Sequence, residues 1–64
     1  MLAFKEKSEQ EMEKAELAIA KSNVKKKNVS QAQDLLEKAR FYYEIYDYLD
    51  AFRFAEACNR ILSK

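Results

Sequence analysis

The chain has 64 residues and contains neither glycine nor proline. These residues interrupt regular backbone most strongly, since glycine readily forms left-handed turns and proline breaks helices. Turns must therefore be made by Asn, Asp, Ser and Lys. Much of the remaining composition consists of strong helix formers such as Ala, Leu, Glu, Lys, Gln and Arg. No stretch alternates apolar with polar residues over the length of a strand. The sequence therefore predicts an all-α protein.

A chain of this length forms one domain at most, and we interpret 1–64 as a single helical domain. Such a small domain buries only about 60% of the surface that its unfolded chain exposes. Mini-domains usually gain stability from disulfides, a metal or oligomerisation. With one cysteine (Cys58) and no histidine, the chain cannot form an internal disulfide and lacks the usual zinc ligands. Oligomerisation or docking on a partner is the remaining way to gain stability. We expect no metal or cofactor.

Charge and hydropathy favour a cytoplasmic protein. Lys and Arg total 12 against 11 Asp and Glu, a net charge of +1, so no overall field attracts nucleic acid or an acidic membrane. No apolar run approaches the roughly 20 residues needed to cross a bilayer, and no signal-peptide pattern is present. We expect neither a membrane nor a small-molecule substrate among the partners.

The first predicted helix spans 4–22. Apolar and small residues recur in it at intervals of three or four, which forms a narrow seam that another element has to cover. The seam consists of Phe4, Ser8, Met12, Ala15, Ile19 and Ser22. A polar stretch follows, in which Asn23 can adopt the left-handed conformation that closes a helix. We therefore expect a basic turn over 23–29.

A second helix is predicted over 30–46. Ser30 and Gln33 have the spacing of a capping box, in which each side chain satisfies the backbone amide of the other residue. An apolar stripe at helical spacing then continues as far as Tyr46. Its members, which we expect in the core, are Ala32, Leu35, Leu36, Ala39, Tyr42, Tyr43 and Tyr46.

The pattern changes at Asp47. Beyond it the apolar positions shift in phase by about two residues, which predicts a break, with Asp47 capping a third helix over 48–63. The expected architecture is a three-helix bundle, that is, a helical hairpin preceded by an N-terminal helix. A competing interpretation is one helix over 30–63, about 50 Å long, that dimerises through a heptad seam. That seam would comprise Phe41, Ile45, Tyr48, Phe52, Ala55, Asn59 and Leu62.

Residues 35–62 resemble a tetratricopeptide-type helical hairpin. Leu35, Ala39 and Tyr42 match the large, small and aromatic progression of that family's first helix, and Asp47-Tyr48-x-x-Ala51 is similar to its turn and second-helix opening. The resemblance implies a protein-interaction scaffold without catalysis, in which the first helix caps a single hairpin. The positions that depart from the family's pattern are Ala55, Cys58 and Ser63, together with the missing glycine before the turn.

Aromatic residues concentrated between 41 and 54 give the strongest functional signal. We expect four of them in the core: Tyr42, Tyr46, Tyr48 and Phe52. Phe41 and Phe54 point away from the core stripes, and one small bundle cannot easily bury every ring. Exposed apolar patches mark interaction surfaces, and tyrosine suits protein recognition. The candidate interface residues are Phe41, Tyr43, Ile45, Phe54 and Ile61.

A run of three lysines, Lys25, Lys26 and Lys27, is the candidate phosphate contact. A basic loop can hold nucleic acid through its backbone phosphates. Three charges neutralise few phosphates, however, so the favoured interpretation is a solvated turn.

Catalytic constellations are not evident. A di-iron bundle would need Glu-x-x-His pairs, and a nucleophilic Cys58 would need a neighbouring base. The chain has no histidine, and Cys58 falls at a core position. We therefore expect a non-catalytic module for protein–protein interaction or self-assembly, with another protein or a second copy as partner. The alternatives are a nucleic-acid accessory acting through 25–27 and a purely structural helical segment of a larger protein.

Overall fold

The computed structural model describes residues 3–21 and 26–63, which form three helices. They are α1 (Phe4–Ala20), α2 (Lys26–Glu44) and α3 (Tyr48–Leu62). The predicted all-α, three-helix architecture is confirmed, and the described ranges contain no strand. The alternative of one long helix over 30–63 is wrong, because residues 45–47 separate α2 from α3.

The end of α1 comes earlier than predicted. The helix stops at Ala20, and the backbone N–H of Lys21 still donates to the Leu17 carbonyl at 3.1 Å. Ser22, which was predicted to be its last residue, and Asn23, which was predicted to close it, lie outside the described residues.

The start of α2 corrects two predictions. The helix already includes Lys26, so the turn predicted over 23–29 is wrong from that residue onward. Ser30 is an exposed residue inside the helix and is not its N-cap. The physical reason is that Lys26 and Lys27 are good helix formers. Without glycine or proline, a polar segment extends a helix as readily as it ends one.

The join between α2 and α3 is a tight helix-terminating turn around Tyr46. The backbone N–H of Asp47 donates to the Tyr42 carbonyl at 2.8 Å, and that of Tyr46 donates to Tyr43 at 3.1 Å. This pair of bonds defines a Schellman motif, in which the residue after the helix adopts a left-handed conformation. Tyr46 does so, with φ 66°. Glycine usually occupies this position.

The predicted cap of α3 is confirmed. Asp47 precedes the helix, and its side-chain Oδ1 accepts a hydrogen bond from the backbone N–H of Asp50 at 3.3 Å. A capping carboxylate satisfies one of the amides that a helix N-terminus leaves free, and its negative charge suits the helix dipole. Asp47 therefore ends one helix and begins the next.

The third helix is the centre of the bundle. It packs extensively on both α2 and α1, whereas α1 and α2 meet along a shorter seam. The Cys58 Sγ–H donates to the Ala32 carbonyl at 3.1 Å, and Asn59 Nδ2 donates to the Glu11 carbonyl at 2.9 Å. With Phe4 near Phe52, these contacts make α3 antiparallel to α2 and parallel to α1.

Small side chains dominate the core. The buried apolar residues are Ala15, Ala32, Leu36, Ala39, Ala51, Ala55, Cys58 and Leu62. Alanine at the contacts lets the helices approach closely, but it contributes little burial compared with the 1.5–3 kcal/mol or so of a large apolar side chain. Many large apolar residues are left at the surface instead. Those with the greatest exposure are Phe4, Leu17, Phe41, Ile45, Tyr46 and Leu49.

Candidate functional site

All four tyrosines and all four phenylalanines lie in the half of the bundle around the α2–α3 turn. Because α1 is parallel to α3, its N-terminal Phe4 joins them there. The rings form three groups. Phe4 contacts Phe52, Tyr43 and Tyr46 contact Tyr48, and Phe41 and Phe54 contact Tyr42. The bundle thus has one aromatic end.

The third aromatic group lines an open groove between α2 and α3, which we call the outer groove. It has a volume of about 460 Å³ and is lined by Asp34, Glu37, Lys38, Phe41, Tyr42 and Phe54. Tyr42 and Phe54 stack with parallel rings at 5.3 Å, and Phe41 meets Tyr42 edge to face at 5.4 Å. Phe41 is 57% exposed. The floor is therefore built by packed rings, with Phe41 projecting at the rim.

Two carboxylates and one lysine line the outer groove. Asp34 and Glu37 line it from α2, and Asp50 lies one turn before Phe54 on the same row of α3. Hydrogen bonding to the Asp47 side chain raises the pKa of Asp50; burial and the Asp47 charge add to this, and the nearby charge of Arg53 opposes it. The lysine among the lining residues, Lys38, has its Nζ 5.9 Å from the centre of the Phe54 ring. Its charge is already directed at an aromatic face.

The candidate interface residues do not all meet in one place. Phe41 and Phe54 line the outer groove, and Ile45, 53% exposed, lies one turn beyond Phe41 on α2. Ile61 is half-buried and packs against the core. Tyr43 is half-buried on the side of α2 that faces α1. The structure therefore brings two of the five candidates together and leaves Ile45 nearby.

Tyr43 forms a link between helices. Its hydroxyl donates to a carboxylate oxygen of Glu9 on α1. This hydrogen bond, with smaller effects of burial and of the Glu9 charge, raises the pKa of Tyr43 to about 12. Arg40, one turn before Tyr43 on α2, forms a second link, to Glu16 on α1. These two polar contacts connect α1 and α2 along their short interface.

The expected aromatic core is wrong for Tyr46, which is 78% exposed. Its left-handed backbone directs the ring out of the helix stripe. Tyr42, Tyr48 and Phe52 are half-buried. The buried interior consists mainly of alanines, so the rings form a partly covered shell around it.

The candidate phosphate contacts lie at the opposite end of the bundle. Lys26 and Lys27 are exposed in the first turn of α2, and Lys21 is exposed just after α1. Lys25 lies outside the described residues. All three described lysine side chains are exposed to solvent.

Cys58 is fully buried, and burial raises the pKa of its thiol. A reactive cysteine needs solvent access and a stabilised thiolate. In the described ranges, no three His, Cys, Asp or Glu side chains come together as a metal site would require. Nor does any described helix have the length and apolar character to cross a membrane.

Several groove residues were not anticipated from the sequence. Asp34, Glu37 and Lys38 were not among the candidates, and Tyr42 was expected in the core. A usable signal exists, because Asp34, Lys38, Phe41 and Ile45 are spaced four, three and four residues apart and share one side of α2. A polar row that turns apolar near a helix end marks the rim of a partly covered surface.

Comparison with known proteins gives no match: no family model fits the chain, and no curated protein or solved structure is significantly similar to it. The tetratricopeptide resemblance of 35–62 stays a prediction.

Proposed function

We propose that this chain is a non-catalytic protein-interaction module that docks another protein through the outer groove. The observation that carries the proposal is the distribution of apolar side chains. Small residues fill the core, whereas Phe41, Ile45 and other large residues remain exposed around one end. Exposed aromatic residues around a packed floor are typical of protein-binding surfaces.

The floor of the groove is built from side chains that already pack on one another. Tyr42 and Phe54 are held by stacking, and the α2–α3 turn is fixed at both sides of Asp47. Side chains that pack on one another in the free chain lose less freedom when a partner binds, which lowers the entropic cost of association. Covering Phe41 and its neighbours would add apolar burial that the monomer lacks.

The alternatives have weaker support. A nucleic-acid accessory would rely on a few exposed lysines at the other end, which neutralise too few phosphates for strong binding at physiological salt. Catalysis by Cys58 would need access to a buried thiol. A cytoplasmic location belongs to the proposal, since a free buried cysteine suits a reducing compartment.

A photo-crosslinking experiment in the cells of origin tests the proposal. A photoreactive phenylalanine analogue is placed at Phe41 and, as a matched control, at Leu17, which is equally exposed on α1 (57% against 56%). We expect a discrete protein adduct from position 41 that disappears with Phe54→Glu. Adducts of equal yield from both positions, or none from position 41, would contradict the proposal.

A further inference from the structure

The outer groove differs from an ordinary apolar patch in its charge. Asp34 and Glu37 line it, and Glu44 lies on the same side of α2 as Glu37, seven residues further on. Lys38 is the one cation among its lining residues, and its ammonium group is directed at Phe54. An occupant must therefore offer apolar side chains for the rings and positive charge for the rim.

We infer that the outer groove binds a basic amphipathic helix of a partner protein, whose apolar side chains cover Phe41, Tyr42 and Phe54 and whose Lys or Arg side chains face Asp34 and Glu37. The inference rests on the proposed function and names the chemistry of its partner. A helix laid along a groove presents apolar anchors at intervals of three, four and seven residues. The groove lies between two antiparallel helices, and five of its six lining residues belong to α2, so its long side follows a helix that a second helix can pack against.

An antiparallel second copy of the chain fits the rim less well. Glu37 and Glu44 lie on the same flank of the row that contains Phe41. If two α2 helices packed antiparallel about Phe41, Glu37 of each copy would face Glu44 of the other. Like charges that face each other oppose association, and complementary charges select the partner.

Designed peptides test this inference. Two helical peptides of about 18 residues share one leucine face and differ only in their polar face, which carries lysine in one and glutamate in the other. Binding of each labelled peptide to the full chain is followed by fluorescence anisotropy. We expect the lysine peptide to bind about tenfold more tightly, with an advantage that shrinks as salt screens the charges.

Matched variants locate the effect. Asp34→Lys and Glu13→Lys each replace an exposed carboxylate and change the net charge equally, but Glu13 lies on α1 outside the groove. Asp34→Lys should abolish most of the lysine preference, whereas Glu13→Lys should preserve it. Circular dichroism establishes that both variants keep their helices. If both variants lost the lysine preference equally, peptide binding would depend only on the overall charge of the chain, which overturns the inference.

Other outcomes separate this inference from the proposed function. Equal binding of the two peptides overturns the role of charge and leaves the groove as a docking site. Absence of peptide binding, together with a crosslink from position 41, overturns the basic helix and keeps the proposed function. Sedimentation equilibrium that shows a dimer sensitive to Phe41→Glu makes a second copy the occupant, which also overturns the inference.

Discussion

Tyr42 on α2 and Phe54 on α3 stack with an interplanar angle of 1° and 5.3 Å between ring centroids. The pair joins the two helices that form the outer groove and shapes its floor. Both rings are only half-buried. Each therefore packs against the other helix and also forms part of the protein surface.

The stack should contribute to stability through direct coupling of the two rings. We expect Tyr42→Ala and Phe54→Ala each to lower the free energy of unfolding by about 2 kcal/mol, less than a fully buried aromatic would lose. A double-mutant cycle measured by urea denaturation should give a coupling of about 1 kcal/mol. Additive single effects would mean that the rings do not interact.

The Asp47 cap gives a second prediction. Asp47→Ala removes the acceptor for the Asp50 backbone N–H, and we expect it to lower the free energy of unfolding by about 1 kcal/mol. Asp47→Asn is the matched control, because an asparagine oxygen can still cap the helix. Thermal melts followed by circular dichroism check both. If Asp47→Asn lowered the free energy of unfolding as much as Asp47→Ala does, the stabilisation would come from the carboxylate charge and not from the hydrogen bond.

The left-handed backbone of Tyr46 gives a third prediction. A side chain other than glycine costs about 1 kcal/mol or more in this conformation. The Tyr46 ring is largely exposed, so Tyr46→Gly removes this cost with little loss of packing. We expect a net stabilisation of about 0.5 kcal/mol, since glycine also makes the unfolded chain more flexible. Tyr46→Val should lower the free energy of unfolding. Urea denaturation of both variants measures these two changes in stability.

The Tyr43–Glu9 link gives a prediction about pH. The pKa of Tyr43 rises from 10.0 to about 12 in the folded chain, so the folded state keeps a proton that the unfolded state loses first. The stabilisation is therefore complete below pH 10 and is lost as the pH rises toward about 12. Tyrosinate absorbance, with circular dichroism to monitor folding, should show one late-titrating tyrosine. This late titration should be missing in Tyr43→Phe, and in Glu9→Gln it should shift to lower pH.

The helices and the Asp47 break were predictable because they depend on local information. The apolar period identifies each helix, and the phase change at Asp47 coincides with a residue that can cap. The middle of the α1 seam was also predictable: Ser8 and Ala15 are buried, and Met12 and Ile19 pack against the core. Phe4, the first member of that seam, is 44% exposed, and Ser22 lies outside the described residues.

The remaining features depend on tertiary contacts. Nothing local distinguishes Lys26 as a helix residue from Lys26 as a turn residue. Tyr46 followed the core stripe in sequence, but the Schellman turn takes it out of that stripe. The alanine-rich core depends on the central position of α3, which packs on both α1 and α2. The packing of the three helices therefore determines which aromatic rings stay exposed.

The most direct measurement of the central claim is an NMR titration of the isotopically labelled chain with the lysine-faced peptide. Backbone amide shifts report which residues the ligand covers. We predict that the shifted amides cluster over 34–45 on α2 and 50–57 on α3, and that Phe41→Glu removes these shifts. Shifts that centre on α1, or that persist unchanged in Phe41→Glu, would contradict the assignment of the outer groove as the docking surface.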